Sequence, residues 1–307
     1  MKLLIIDSHK GKDKAPDNLH IANAFQIQQH LVSKGHECDL IWSYPTVNDE
    51  IKGGYDVVAF NHSSRYSYYD KRWLLDSPNA RVFYITNEYN LGEPYVLWTA
   101  AKDGLKYDVI ANHEQSVSRV VRKYVNNWHQ VNLNSLIVSD PVAQLPDAND
   151  CIYYGSYRAG RRYSFKHYLT EDEVIISTHS KNRKKFEALG ITGPFIDRID
   201  WKGVGLSCYK ASLYIEDTIT HDSYNHLANR FYEALNYSCT PLFGFECINT
   251  MARCGYDIPE DIIVVSPEDI GDYFRWGQEL DLRPWQEQAK AEKADSLDKI
   301  TNILTNV

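Results

Sequence analysis

The chain has 307 residues, about twice a typical domain, so two domains or one large one are expected. Its 43% hydrophobic and 24% charged residues are ordinary globular composition, which excludes general disorder and fibrous repeats. The formal net charge of −8 argues against a surface that clings to nucleic acid everywhere, and no stretch approaches the roughly 18 apolar residues of a membrane span. In chain order, Lys2–Ile6 is an apolar run ended at once by Asp7 and a polar loop, which predicts a first strand rather than a signal peptide. Leu19, Ala22, Phe25, Ile27 and Leu31 then mark a helix that stops at Gly35. Strands are expected at 38–42, 55–60, 81–86 and 107–111, with helices near 71–75 and over 117–124. This alternation is that of a doubly wound α/β domain, whose ligands sit at the carboxyl ends of the strands.

The period breaks over 140–150, where Pro and Asp dominate, so a linker is expected there. Alternation resumes with strands at 151–155, 174–177, 213–216, 241–245 and 262–265, and helices at 161–169, 183–189 and 227–235. A long polar helix over 284–304 closes the chain. The expected architecture is α/β, with two Rossmann-like doubly wound domains facing across a cleft. The six cysteines show no Cys-x-x-Cys spacing and are expected as reduced thiols. Tyrosine is common, 22 residues against 10 Phe, which fits either a large polar cleft or half-buried strands.

Several signatures are missing. Gly11-Lys12 is not part of a P-loop, no Gly-x-Gly-x-x-Gly follows the first strand, and no His-Glu-x-x-His or Cys/His ligand spacing occurs. No Asp-x-Asp triplet is present to hold a diphosphate through a cation. A sugar diphosphate, if bound, must be neutralised by arginines and backbone amides, so no metal site is expected and a divalent cation at most assists.

Two segments carry the densest chemistry. The first is Tyr153-Tyr154-Gly155-Ser156-Tyr157-Arg158-Ala159-Gly160-Arg161-Arg162. A strand ends at Gly155, small residues allow a phosphate to approach the backbone, and a helix begins. Arg158 and Arg162 are four apart, so one helical face could present both to a diphosphate. The alternative is a basic helix start with surface ion pairs, a placement the helix dipole disfavours without an anion. The second segment is Tyr224-Asn225-His226-Leu227-Ala228-Asn229-Arg230-Phe231-Tyr232-Glu233-Ala234-Leu235. Phe231, Ala234 and Leu235 form its buried side. Arg230 and Glu233 share another face, where they either hold a phosphate and a ribose diol or form an ordinary surface pair.

Together these segments resemble the donor-site motifs of GT-B glycosyltransferases, and their order and spacing are similar to those of the phage DNA β-glucosyltransferases that modify 5-hydroxymethylcytosine. The resemblance is clear over 152–245 and rests on strand order before that. It implies that Gly155, Ser156, Arg158 and Arg162 hold the diphosphate of UDP-glucose or another nucleotide sugar, supported by Arg230. Glu233 would bind the ribose hydroxyls, Tyr224 would lie near the phosphates, and Ile199 would stand where uracil is read through the backbone. It divides the chain into an acceptor domain (1–145), a donor domain (146–283) and a helix packing back across both (284–307).

In that family an Asp at the end of a first-domain strand activates the acceptor hydroxymethyl group. A gapless alignment puts Asn87 there, and Asn cannot accept a proton, whereas Glu88 is adjacent and serves if the strand end shifts by one residue. Asp17, His20, His62 and His113 are the reserves. The implied reaction is an inverting hexose transfer to a hydroxymethylpyrimidine of duplex DNA, flipped out of the stack. Basic clusters at Lys10, Lys12 and Lys14, at Arg65, Lys71 and Arg72, and at Arg119, Arg122 and Lys123 could meet DNA or be solvated faces. The expected protein is a monomer in the cytoplasm (the host's, if phage-encoded) with no membrane partner. A protein, glycan or small-molecule acceptor is the alternative, and a catalytically inactive nucleotide-sugar binding protein is the second.

Overall fold

A computed structural model of the chain describes residues 1–7, 23–41, 54–61, 77, 79–86, 106–112, 123–169, 174–201, 203–217, 226–275 and 280–306. The chain divides into two compact units: Met1–Ile137 together with Ala291–Val307, and Val138–Lys290.

The first unit is built on strands β1 (Lys2–Ile6), β2 (Glu37–Ile41), β3 (Val57–Asn61), β4 (Arg81–Thr86), β5 (Tyr107–Ala111) and β6 (Val125–Gln130). They form one sheet in the order β2-β1-β3-β4-β5-β6, with every pair parallel. The central strands are buried on both faces, which is why they read as unbroken apolar runs. Alternate residues feed two cores. Leu4, Ile6, Val58, Phe60, Tyr84 and Val109 enter one. Leu3, Ile5, Val57, Ala59, Phe83 and Ile110 enter the other, against Ala24, Ile27 and Leu31 of helix α1 (Asn23–Ser33). Gly35, at φ +87°, ends α1, and the His36 amide returns to the Leu31 carbonyl.

Strand β6 was not expected from sequence. Val-Asn-Asn-Trp-His-Gln is polar because β6 is an edge strand whose residues are half-buried or exposed, so no apolar period marks it. The helix expected at 71–75 lies outside the described residues. So does most of that expected at 117–124, of which Lys123 and Tyr124 form a turn.

The second unit contains β7 (Asn149–Tyr154), α2 (Arg162–Tyr168), β8 (Val174–Ser177), α3 (Ser180–Glu187), β9 (Phe195–Ile196), β10 (Tyr209–Tyr214) and α4 (Asn229–Asn236). It continues through β11 (Thr240–Gly244), α5 (Ile248–Met251), β12 (Ile263–Val264), α6 (Pro267–Arg275) and the start of α7 (Arg283–Thr305). Its strands pair in parallel in the order β12-β11-β10-β7-β8-β9. The direction of winding reverses between β7 and β10, which makes the carboxyl ends of these two strands the topological switch point.

The segment expected as a linker is irregular from 138 to 148, yet it is sewn to the second unit rather than hanging free. The Ser139 and Val142 amides donate to the Asn236 side chain and carbonyl, and the Leu145 amide donates to the Ser207 carbonyl. Proline and aspartate break the period there without releasing the chain.

Among the described residues, most tyrosines belong to the cores. Tyr153, Phe165 and Phe186 meet edge-on or tilted on one face of the second sheet, with centroids 5.0–6.3 Å apart. Phe231 of α4 packs against Phe243, Tyr256 and Trp285. Burying such a ring contributes about 1.5–3 kcal/mol, so α4 is held firmly to the strands whose ends it serves. The last turns of α7, through Leu297, Ile300 and Leu304, belong to the core of the first unit.

Candidate functional site

The site is assembled where β7 and β10 end. Gly155 follows β7 with φ +140°, a region that side chains rarely enter. Its amide donates to the Ser177 carbonyl and its carbonyl accepts from the Thr178 hydroxyl, so β8 fixes this turn. The face of Gly155 that a side chain would cover lies 2.7 Å from Arg230 Nη2 and 3.6 Å from the Tyr153 hydroxyl. Only glycine leaves room for that guanidinium.

Arg230, near the start of α4, is fixed from three sides. Its Nε donates to the Tyr154 carbonyl (3.2 Å), and its Nη1 donates to the Ile215 carbonyl (3.1 Å) and to Glu216 Oε1 (2.6 Å). Nη2 is thereby left beside Gly155. Burial opposes the charge of Arg230, but Glu216 and the neighbouring tyrosines outweigh it and keep the guanidinium protonated. Glu233, three residues on, does not pair with Arg230. It accepts instead from the Tyr154 hydroxyl at 2.9 Å, and that hydroxyl also reaches the Arg230 carbonyl. The alternative of a surface ion pair between Arg230 and Glu233 is therefore excluded.

Burial raises the carboxyl of Glu233 above its usual range, opposed by the Tyr154 hydrogen bond and the Arg230 charge. A carboxyl whose folded value is raised contributes stability below its unfolded range and loses it as pH rises through the folded value. Glu233→Gln is therefore expected to be at least as stable as the parent at pH 7–8. The same variant is expected to lose discrimination between UDP and its 2′,3′-dideoxyribose analogue. Denaturant titration and calorimetry read the two effects separately.

The first segment differs from its expected form. Arg158 is extended (φ −126°, ψ 134°) and precedes a single 3-10 turn, Ala159–Arg161, while Arg162 is the first residue of α2. The two arginines are both exposed, as is Ser156, but they do not share a helical face. At Gly160 a Cβ would meet Asp217 Cβ at 3.2 Å, so the chain passes close to the segment after β10 before the helix begins.

Between them, Arg161 turns inward and is 4% exposed. It pairs with Glu216, which is equally buried, and its Nη2 lies 3.8 Å from Asp217 Oδ2. Among the described residues its Nε and Nη1 have no hydrogen-bond partner, nor does the buried Tyr153 hydroxyl. Unmet buried donors are uncommon, and several at one strand end mark a place where a ligand completes the network.

Ile199 is half-buried in the loop after β9. It packs with Trp201 and Tyr237 onto the cluster of Ile152, Tyr154, Leu206 and Ala234. It therefore stands on the Tyr154 side of the sheet, the side that carries Glu233. Tyr224 lies outside the described residues, as do Asn87, Glu88, Asp17, His20, His62, His113 and the lysines and arginines of the three basic clusters other than Lys123, which is exposed in a turn.

Arg161 and Glu216 were not singled out from sequence. Glu216 carried a usable signal, a carboxylate just past the apolar run Ala-Ser-Leu-Tyr-Ile at a central strand end. Arg161 carried none, since spacing does not say which of three neighbouring arginines turns inward. In the first unit, Asp7, Asn61, Thr86 and Asn112 put buried polar groups at the carboxyl ends of β1, β3, β4 and β5. Asn112 accepts from the Leu133 amide and donates to Asn134. Among the described residues no group of three or more His, Cys, Asp or Glu is placed to hold a metal ion, and no helix is long and apolar enough to cross a membrane.

No protein-family model and no curated protein matches the chain. Solved structures do. A mutant of T4 phage BGT in complex with UDP-glucose is 16% identical, with 98% of this chain and 95% of that one covered at a TM-score of 0.59. The DNA modifying enzyme β-glucosyltransferase, solved with and without uridine diphosphoglucose, matches with the same identity and coverage at 0.60. The likeness is one of fold: two doubly wound α/β units of the GT-B type.

Proposed function

We propose that the protein is a nucleotide-sugar-dependent glycosyltransferase, moving a hexose from a uridine diphosphate sugar. The observation that carries this reading is the set of donors at the switch point of the second sheet. Arg230 Nη2 and the Tyr153 hydroxyl stand at the open face of Gly155, and Arg161 shares Glu216 with Arg230. Such a set suits a diphosphate, with Glu233 placed for a ribose diol and Ile199 on the same side for a base. The solved structures of this fold were studied with UDP-glucose, which favours glucose as the sugar.

Arg230 has a role that follows from its geometry. Its charge is fixed before the donor arrives, so negative charge growing on the leaving diphosphate is met without reorganisation. Arg158 and Arg162, exposed at the same strand end, add charge from the solvent side. Residues 87 and 88 directly follow β4 in the first unit, and Glu88 is the proposed base, with Asn87 at the aligned position. The acceptor we propose is the hydroxymethyl group of a modified pyrimidine in DNA, by analogy with the DNA-modifying enzyme of the same fold. The net charge of −8 favours a second acceptor class, a protein, glycan or small molecule.

Incubation with UDP-glucose and DNA containing 5-hydroxymethylcytosine, beside unmodified DNA, tests the whole reading by nucleoside mass analysis. A hexose adduct on the modified DNA alone is expected. UDP release without DNA modification transfers the reading to the second acceptor class, and no UDP binding at all rejects the donor site. Arg158→Ala is expected to weaken UDP binding about tenfold while leaving thermal stability unchanged, because this side chain is exposed and makes no contact the fold needs. Calorimetry showing unchanged UDP affinity would remove Arg158 from the site.

A further inference from the structure

Glu216 is a buried carboxylate held between two guanidiniums. Oε2 takes Arg161 Nη2 and Oε1 takes Arg230 Nη1 at 2.6 Å, while both Glu216 and Arg161 are 4% exposed. The three side chains sum to +1, and the partly exposed Asp217, with Oδ2 3.8 Å from Arg161 Nη2, adds the same −1 to the parent and to every variant below. A charge pair removed from water acts strongly on its surroundings, because little solvent screens it. The open edge of the triad, Arg230 Nη2, is the one beside Gly155.

We propose that Glu216 is a charge-balancing, positioning residue that tunes the site to a nucleotide sugar over the free nucleoside diphosphate. The proposal rests on the donor-site reading above. A UDP-sugar carries two negative charges on its diphosphate, whereas UDP at about pH 8 carries three, because its terminal phosphate is fully ionised. An uncompensated pair of arginines would favour the more charged species, which is the leaving group. By neutralising one guanidinium, Glu216 weakens that preference and keeps the product from occupying the site. It also fixes Arg230 in place, together with the Tyr154 and Ile215 carbonyls.

The test is the ratio of dissociation constants, UDP-glucose over UDP, measured by calorimetry at fixed ionic strength with a chelator present. Glu216→Gln sets the triad at +2 and is expected to raise the ratio on the order of tenfold. Glu216→Asp keeps the charge, so the ratio should stay near that of the parent even if both ligands bind more weakly. The double variant Arg161→Met, Glu216→Met leaves only Arg230, again at +1, and should also keep the ratio. Replacing a buried pair with apolar side chains is often tolerated by the fold. If Glu216→Gln does not fold, Arg161→Met sets the triad at zero and should lower the ratio.

A purely structural Glu216 would weaken both ligands in proportion. An unchanged ratio in the Gln variant, or an equal shift in the Asp variant, therefore overturns the proposal. A parent protein that binds neither ligand overturns the donor-site reading itself, so the two failures are distinguishable.

Discussion

Arg230→Met is expected to lower UDP affinity and transfer by about two to three orders of magnitude, the loss seen when a fixed donor to a developing negative charge is removed. The side chain is bound to two backbone carbonyls and one buried carboxylate, and its remaining nitrogen faces the glycine turn. Removing it leaves Glu216 with Arg161 as its only guanidinium partner and leaves the Tyr154 and Ile215 carbonyls without this donor. A buried charge pair broken at one partner costs about 3–5 kcal/mol, so a stability loss towards the lower end accompanies the functional one. Arg230→Lys should rescue little. An ammonium is a point charge and does not reproduce the fork that serves Tyr154, Ile215 and Glu216 together. Calorimetry with UDP and a denaturant titration, each on folded protein, separate the two losses. UDP affinity unchanged in the Met variant would remove Arg230 from the donor site.

Gly155→Ala carries the second large effect. A β-carbon there would stand 2.7 Å from Arg230 Nη2, and φ of +140° is strained for any side chain. The backbone cost is about 1–3 kcal/mol. The guanidinium must also move, which disturbs its contacts with Glu216 and the Tyr154 carbonyl, so UDP affinity is expected to fall at least about tenfold. Gly190→Ala is the control. Gly190 also has positive φ (+83°), but nothing lies within 4 Å of its missing side chain. It should lose stability alone, with UDP affinity intact. If both variants lose stability but neither loses affinity, Gly155 serves the turn and not the ligand.

Glu233→Gln is expected to reveal the cost of placing a carboxylate at this strand end. Burial raises its pKa, so the charged form proposed to bind a ribose diol is held at some expense of fold stability near neutral pH. A site that uses its ionised residues this way trades stability for binding, which is the expected behaviour of functional groups under partial burial.

Most strands of the second unit were legible because apolar β-branched and aromatic runs mark buried parallel strands, but β10 begins four residues before its expected 213–216 and the two-residue β9 was not read. Val174–Ser177 is found where periodicity places it, and β7, β11 and β12 differ by a residue or two at their ends. Helix α3 begins earlier than its apolar pattern, at Ser180, because the His179 side chain accepts from the Lys181 amide and caps it. Strand β6 and helix α6 were not read. The first is a polar edge strand; the second does carry an apolar stripe, Ile270, Tyr273 and Phe274 at i, i+3 and i+4, but it covers little more than one turn.

What the sequence determined by itself was the double α/β alternation, the glycine turn after β7 and the presence of Arg230 and Glu233 on one short helix. These are local properties, set by period, by small residues and by spacing along one element. Only the tertiary structure decided which charges meet. It turned Arg161 inward while Arg158 and Arg162 stayed outside, and it gave Arg230 to Glu216 instead of Glu233. It also joined Glu233 to Tyr154, a residue 79 positions away. Burial and long-range pairing depend on how elements stack side by side, and a carboxylate just past β10 has no mark in sequence that tells it which arginines its neighbours will bring.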